Sequence, residues 1–283
     1  MTRAPASEPT QAEAARSESA RAEAMPRGVL RPSAATSRFT LATREPPAEL
    51  AAFVEYYWIV RWDLRGEPDH TQSVLPHPNV HLAFEAPAAQ IHGVSRSLFS
   101  RRLSGSGKVL GVRFRAGGFR PFLGTPVRQL TDRVVSAGTV FGAAAERTRA
   151  LIMNTDAGDE EMAGHASRLL LDVSPHADPM AGQAAALVEL IVTDASLRRV
   201  RELGSVSGMS IRSLERLFRE YVGVTPKWVM RRARLHEAAS RVDSGEPIDW
   251  SLLAADLGYA DQAHLTRDFT RTIGVPPSEY AAR

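Results

Sequence analysis

The sequence contains no cysteine, and this absence removes several classes of chemistry. Disulfide bonds, thiolate metal sites and thiol nucleophiles are excluded, and the composition fits a chain that works in the reducing cytoplasm. The chain also lacks any apolar run near the roughly 18 residues that a membrane-spanning helix needs, so we expect no membrane partner. Its first 35 residues are mainly Ala, Glu, Ser, Arg and Pro. Without a hydrophobic stretch they do not resemble a secretory signal, and they predict a disordered tail over residues 1–35.

Net charge is also low, at +3 over 283 residues, which by itself does not indicate a nucleic-acid partner. The basic residues are concentrated, however. Residues 210–241 carry eight basic and three acidic side chains, a local charge of +5. Such a segment is either a solvated helix face or a surface that neutralises phosphates.

The amino-terminal half has the alternation typical of β-strands. Apolar and polar residues alternate over 80–85 and 110–115, and residues 53–62 are rich in aromatic and β-branched side chains. We therefore predict a β-rich sensor or dimerisation domain over residues 36–135, folded as a small β-barrel or sandwich.

Helical patterning replaces this alternation further along the chain. We expect residues 136–179 to form a helical connector that ends in a linker at 175–180, where two prolines disfavour a helix. Everything from residue 180 to 283 has helical patterning. The predicted fold class is α+β, a small β-barrel with helices followed by an all-α domain.

The last hundred residues contain the same unit twice. Leu203 and Gly208 recur 50 residues later, and Leu214, Phe218 and Gly223 recur 51 residues later. Each copy has a short helix, a turn with glycine, a second helix with a capping residue, and a Gly-x-x-Pro stop. This pattern is typical of helix–turn–helix units, whose second helix enters the DNA major groove.

The predicted second helices, residues 210–221 and 261–272, each bury one apolar stripe and expose polar side chains. Arginine suits the two acceptors of guanine, glutamine suits adenine, and a carboxylate can accept a hydrogen bond from cytosine. Exposed helix surface without a DNA contact is the alternative for each position. The side chains that we expect at base edges are Arg212, Glu215, Arg216, Gln262, His264 and Arg267.

Other side chains in and beside these helices are candidates for phosphate contacts, which position a protein on DNA without reading its sequence. They are Ser210, Arg219, Thr225, Lys227, Arg231, Arg232, Thr266 and Arg271.

These residues resemble the AraC/XylS family of bacterial transcription regulators over about residues 197–280. The strongest part of the match is Gly258, Asp261, Gln262, His264, Phe269 and Tyr280. The chain departs from the family at Gly204, where alanine is usual. The resemblance implies two helix–turn–helix units joined by the helix Pro226–Val242, and two adjacent major grooves of double-stranded DNA as the binding site. It also implies an activator or repressor without catalytic residues or cofactor. RNA polymerase and a second copy of the chain are its further expected partners.

The amino-terminal domain resembles a poorly characterised cupin-like domain that precedes such units, which implies an effector site. For a small molecule of unknown identity we name Trp58, Arg113 and Arg115, although core packing for Trp58 and the polar face of a strand for the arginines are the favoured interpretations. Four histidines (His70, His77, His81 and His92) invite a metal reading, but their spacing lacks a supporting carboxylate, and we predict no metal. The alternatives are a cupin-type metalloenzyme fused to a DNA-binding domain and a constitutive DNA binder whose amino-terminal domain only dimerises.

Overall fold

The structure, a computed structural model, describes residues 26–154 and 157–282. Its amino-terminal half is built on two antiparallel sheets, a six-stranded one in the order β1-β2-β7-β4-β5-β8 and a two-stranded one of β3 and β6. The strands are β1 Thr40–Arg44, β2 Val54–Asp63, β3 His70–Val74, β4 His81–Phe84, β5 Ala89–His92, β6 Phe99–Leu103, β7 Ser106–Phe114 and β8 Val134–Ser136. This arrangement confirms the β-rich first half of the α+β fold.

Each face of the six-stranded sheet has its own layer, and the alternation along β2 shows why. Tyr57 and Ile59 are fully buried against helices, whereas Tyr56, Trp58 and Val60 face the two-stranded sheet. Successive side chains of a strand point to opposite faces. One face therefore forms the core, and the other forms a wall of the space between the two sheets.

Within the described ranges, the α-helices of this half are α1 Pro32–Ala35, α2 Arg120–Leu123, α3 Gly138–Phe141, α4 Ala144–Met153 and α5 Asp159–Asp172, and two short 3-10 helices are Ala48–Leu50 and Val127–Leu130. We expected residues 136–179 to connect two domains. Instead α4 and α5 cover the sheet, because Ile152, Met162 and Leu170 pack in one core with strand residues. Their apolar stripes need a partner surface, and the sheet supplies it.

The carboxyl-terminal half is entirely helical. Its helices are α6 Pro179–Thr193, α7 Val200–Ser207, α8 Ile211–Leu217, α9 Pro226–Asp243, α10 Trp250–Asp256, α11 Gln262–Ile273 and α12 Pro277–Ala282, and a π-helical turn, Phe218–Val222, extends α8. The pairs α7–α8 and α10–α11 are the two units predicted from the repeat. Two prolines that we interpreted as linker or stop signals, Pro179 and Pro277, instead begin helices, since the first helical turn tolerates proline.

Residues 26–35 are folded, whereas we predicted that they belong to a disordered tail. Val29 forms a β-bridge with Val74, and residues 32–35 form α1. Leu30 is 5% exposed and packs in the apolar cluster of the second helix–turn–helix unit. Residues 1–25 of the predicted tail lie outside the described residues.

The two halves pack directly on each other. Arg120 forms an ion pair with Glu220 at 2.8 Å, and the Thr131 hydroxyl donates a hydrogen bond to the carbonyl of Gly223 at 2.7 Å. Both contacts attach the turn after α8 to the amino-terminal half. None of the helices within the described ranges is long and apolar enough to cross a membrane.

Candidate DNA-binding helices and amino-terminal cavity

Helices α8 and α11 are the second helices of the two units, and we call them the reading helices. The first of them, α8, has a polar face that the amino-terminal half leaves uncovered. Ser210 caps it by accepting a hydrogen bond from the backbone amide of Ser213 at 3.1 Å. Leu214 is fully buried, while Arg212 and Arg216 are exposed. The two predicted base-contacting arginines therefore lie on the free side of the helix.

Two other predicted contacts in this helix are paired with each other. Glu215 forms an ion pair with Arg219 at 3.1 Å, one turn away. Both are partly exposed, and an exposed pair of this kind contributes little to stability. Breaking this ion pair to free either side chain therefore costs little free energy.

The second reading helix, α11, repeats the arrangement. The Asp261 carboxylate accepts a hydrogen bond from the backbone amide of His264 at 2.6 Å, and Phe269 is fully buried. Gln262, His264 and Arg267 are exposed. The capping residue and the buried stripe fix which side chains of α11 face outward, as they do in α8.

The joining helix, α9, corrects one of the predicted phosphate contacts. Arg232 is 3% exposed, lies over the ring of Trp228 at 4.7 Å, and donates a hydrogen bond to the carbonyl of Arg96 at 2.8 Å. Burial lowers its pKa to about 10, so the guanidinium remains charged at neutral pH. It is a contact between the two halves, and the prediction that it binds a phosphate is wrong for this arrangement.

Arg231, another of the predicted phosphate contacts, also has a partner within the protein. It pairs with Asp268, a buried carboxylate that accepts a second hydrogen bond from the Tyr259 hydroxyl at 3.0 Å. This network ties α9 to α11 and so fixes the second unit on the joining helix. Sequence reasoning missed Asp268, since an acidic residue inside a basic helix gives no local sign of being buried.

The remaining phosphate candidates are more accessible. Lys227 and Arg271 are exposed, Thr266 is half-buried, and Thr225 caps α9 by accepting from the backbone amide of Trp228 at 3.2 Å. Lys227 and Arg271 thus remain available cations beside the reading helices.

A cavity of about 640 Å³ lies between the two amino-terminal sheets. Tyr56, Trp58 and Trp62 line it from β2, and Phe99 and Leu103 line it from β6. The volume is within the range of sites that bind small molecules, roughly 300–1,000 Å³.

A row of polar side chains crosses the cavity wall through four neighbouring strands. Tyr56 pairs in register with Arg113, Arg113 with His81, and His81 with His92. Burial, followed by the charge of Arg113, lowers the pKa of His81 to about 3, so its ring is neutral. The Trp58 indole donates to Nδ1 of His81 at 3.2 Å, which leaves the proton of the ring on Nε2.

Arg113 and Arg115, which we named together as effector residues, have different partners. Arg113 pairs with Glu55 at 2.8 Å beside the cavity. Arg115 follows the end of β7 and donates to the carbonyl of Ala51 at 2.7 Å. Of the predicted effector residues, Trp58 and Arg113 line the cavity and Arg115 does not.

The histidines do not assemble into a metal site. Within the described ranges, no three histidine, aspartate or glutamate side chains converge as metal ligands. His77 donates to the carbonyl of Arg27 at 2.6 Å, and its ring stacks on His236 of α9 at 3.9 Å between centroids. That stack joins the two halves, a role with no signal in the sequence.

The folded amino-terminal segment touches both the cavity and the helical half. Arg27 and Val29 line the cavity. Arg27 also pairs with Glu237 of α9, and the backbone amide of Arg31 donates to the Tyr280 hydroxyl at 3.2 Å. The segment therefore connects this wall of the cavity directly to α9 and α12.

Comparison with known protein families gives one match in the β-rich half and one in the helical half. Residues 42–136 match the family described as a domain of unknown function, DUF6597, and residues 203–283 match the family described as a helix–turn–helix domain. The second match starts at Leu203 in α7 and includes both repeat units.

Two relatives are transcription regulators, which are not enzymes. The RCS-specific HTH-type transcriptional activator RclR of Escherichia coli (strain K12) is 34% identical over 84 residues, 30% of this chain and 29% of RclR. A putative AraC-like transcription regulator of Streptomyces lividans is 30% identical over 125 residues, 41% of this chain and 40% of that protein. The matches span less than half the length of either relative.

Among solved structures, ToxT of Vibrio cholerae O395 is 14% identical with a TM-score of 0.39, covering 82% of this chain and 98% of ToxT. A second ToxT crystal form is 13% identical with a TM-score of 0.41, covering 87% and 98%. TM-scores this low do not establish a common fold. The two units seen in the structure and the family match together identify residues 203–283 as a helix–turn–helix domain, preceded by a match to a family described as a domain of unknown function.

Proposed function

We propose that this protein is a sequence-specific transcription regulator that reads two adjacent major grooves of double-stranded DNA. One observation carries the proposal: α8 and α11 each have a capped amino-terminal end, a buried apolar stripe and an exposed face with arginine. A recognition helix needs these features, because it must be held rigidly while its free side chains reach base edges.

The exposed side chains have separate roles in this proposal. Arg212, Arg216 and Arg267 read guanine, and Gln262 reads adenine. His264 and Glu215 lie beside them as further base contacts. Phosphates are held by the candidates that remain accessible, with Lys227 and Arg271 as the principal cations and Ser210, Arg219, Thr225 and Thr266 beside them.

The amino-terminal domain is proposed to bind a small-molecule effector in its cavity and thereby change DNA occupancy. Support comes from the volume between the sheets and from the segment with Arg27 and Val29, which lines the cavity and contacts α9. A second copy of the chain and RNA polymerase are further proposed partners, and the cytoplasm is the proposed location.

The test of this function is a binding selection of the purified full chain against random duplex DNA at fixed, near-physiological salt. We expect an enriched motif with two blocks about 10 base pairs apart, the spacing of successive major grooves on one side of DNA. Binding without any enriched sequence would contradict sequence-specific reading. A variant with both Arg212→Ala and Arg267→Ala serves as the control and should lose the enrichment.

A further inference from the structure

We propose that the amino-terminal cavity binds an uncharged, planar aromatic molecule that carries one hydrogen-bond acceptor. This inference rests on the proposed function, since it specifies the effector of the same cavity. Three features of the cavity carry it: its aromatic wall, the pairing of its charges, and the donors in its polar row.

The aromatic wall is built by two indoles that lie flat on glycines. Trp58 pairs across strands with Gly111, and Trp62 pairs with Gly107. A Cβ atom at Gly111 would lie 2.0 Å from the Trp58 ring, and one at Gly107 would lie 2.4 Å from the Trp62 ring. Only glycine therefore lets these rings lie against the sheet, where they offer their faces to the cavity and to a planar ring.

Among the described residues that line the cavity, no buried cation is left without a partner for an ionic ligand. Arg113 is paired with Glu55 at 2.8 Å, and Arg101 is paired with Glu85 at 2.6 Å. Arg27 is paired with Glu237 of α9, and Arg133 is exposed. An anion would lose its hydration without gaining a free cation, a balance that disfavours burial of a charge.

The polar row instead supplies neutral donors. Nδ1 of His81 accepts from the Trp58 indole, so Nε2 carries the proton and can donate. The oxygen of Tyr56 accepts from Arg113 at 3.2 Å, which leaves its O–H free to donate as well. Among the described residues, no other hydrogen bond is formed by the His81 ring.

The spacing of these groups sets the shape of the ligand. Tyr56 and Trp58 point to the same side of β2 two residues apart, which corresponds to about 7 Å along a strand. A ring that stacks on Trp58 therefore places a substituent within reach of the donors of the polar row. A carbonyl oxygen on a one- or two-ring aromatic fits this distance.

The experiment compares three probes of similar shape by calorimetric titration into the full chain at pH 7.5. They are 2-acetylnaphthalene, which is neutral with an acceptor, 2-ethylnaphthalene, which is neutral without one, and 2-naphthoate, which is anionic. We expect the ketone to bind roughly three- to tenfold more tightly than the ethyl compound, the worth of one hydrogen bond. We expect naphthoate to bind at least about tenfold more weakly than the ketone, because a buried charge stays unpaired.

Three variants and one control sharpen the comparison. His81→Leu should reduce the advantage of the ketone over the ethyl compound, because only the Tyr56 hydroxyl then remains as a donor, whereas the control His176→Leu, at an exposed position, should keep it. Glu55→Gln frees the charge of Arg113 and should reverse the preference, so that naphthoate binds more tightly than the ketone. Trp58→Phe keeps a ring on the wall but removes the N–H that fixes the His81 tautomer, and should reduce the ketone's advantage.

Equal or tighter binding of naphthoate by the unmodified protein would overturn the proposal, and so would the failure of all three probes to bind. The affinity for the selected DNA, measured with and without 2-acetylnaphthalene, addresses the proposed function separately. If the ketone binds as expected and DNA affinity is unchanged, the ligand class stands and the regulatory role of the cavity is wrong.

Discussion

At the scale of single residues, three arginines of one basic segment have different surroundings. Arg212 is exposed on a reading helix, Arg231 pairs with a buried carboxylate, and Arg232 is buried between the two halves. We therefore expect replacement of Arg212 to change DNA affinity, and replacement of Arg231 or Arg232 to change stability.

Replacing Arg212 or Arg267 with alanine should reduce affinity for the selected DNA by about 1–3 kcal/mol and relax specificity at one base pair. The reason is the loss of a bidentate contact to guanine. Competition binding against single-base variants of the site measures both effects. Arg128→Ala, at an exposed position of the amino-terminal half, is the matched control. Equal weakening across all sequences would show that these arginines contact phosphate.

A second comparison separates Lys227 from Arg232. Lys227→Ala should reduce the slope of log affinity against log salt by about 1, because one phosphate contact is lost. Arg232→Met should leave that slope unchanged and lower the free energy of unfolding by roughly 1–3 kcal/mol, through loss of a charged hydrogen bond and a ring contact. Urea unfolding and binding titrations at several salt concentrations measure the two quantities. A changed salt slope in Arg232→Met would restore a phosphate role for this residue.

At the scale of elements, the short segment at residues 26–31 connects the amino-terminal cavity to the helical half. It bridges to β3, lines the cavity and packs on α9 and α12. Its stability depends on burial of Leu30, because few other apolar side chains in the segment are covered.

Leu30→Ala should lower the free energy of unfolding by about 2–4 kcal/mol, the usual cost of removing a buried leucine side chain. The control is Leu252→Ala, since Leu252 is 60% exposed and its loss should cost less than about 0.5 kcal/mol. Urea denaturation of both variants gives the comparison. Equal stability of the two variants would mean that the segment is not held by the helical half.

At the scale of the whole molecule, the contact between halves contains titratable groups that folding keeps neutral. His236 and His77 stack at the interface, and burial lowers the pKa of both, that of His236 from 6.5 to about 3. Arg27, Arg113 and Arg232 also face His236 and oppose its protonation. Protonation of either ring would put a positive charge where Arg113 already repels it.

Lowering the pH from 7.5 to 5 should therefore destabilise the protein. The folded-state pKa of His236 is depressed, so the unfolded chain binds protons more readily between pH 6.5 and about 3, and stability is lost as the pH falls through that window. His236→Phe keeps a ring in the stack and should reduce the loss at pH 5 by roughly 2 kcal/mol. Urea unfolding at both pH values measures this, with exposed His176→Phe as the control. An identical loss in His236→Phe and the unmodified chain would exclude His236 as a source of the pH dependence.

The sequence alone determined the parts of this protein that depend on local order. The repeat over residues 203–277 gave both helix–turn–helix units, because helical period and capping residues act within a few positions. The same locality placed Arg212, Gln262 and Arg267 on exposed faces, since the buried stripe of each helix fixes its opposite side. Alternation in β2 likewise predicted a strand with two different faces.

Only the tertiary structure decided which charges are free and which surfaces are covered. Arg232 meets a carbonyl 136 positions away, and Arg113 meets a carboxylate 58 positions away. Residues 26–31 have the composition of a tail but fold, because an apolar cluster from the far end of the chain covers Leu30. Burial and charge pairing depend on neighbours in space, and sequence separations this long leave no local pattern that predicts them.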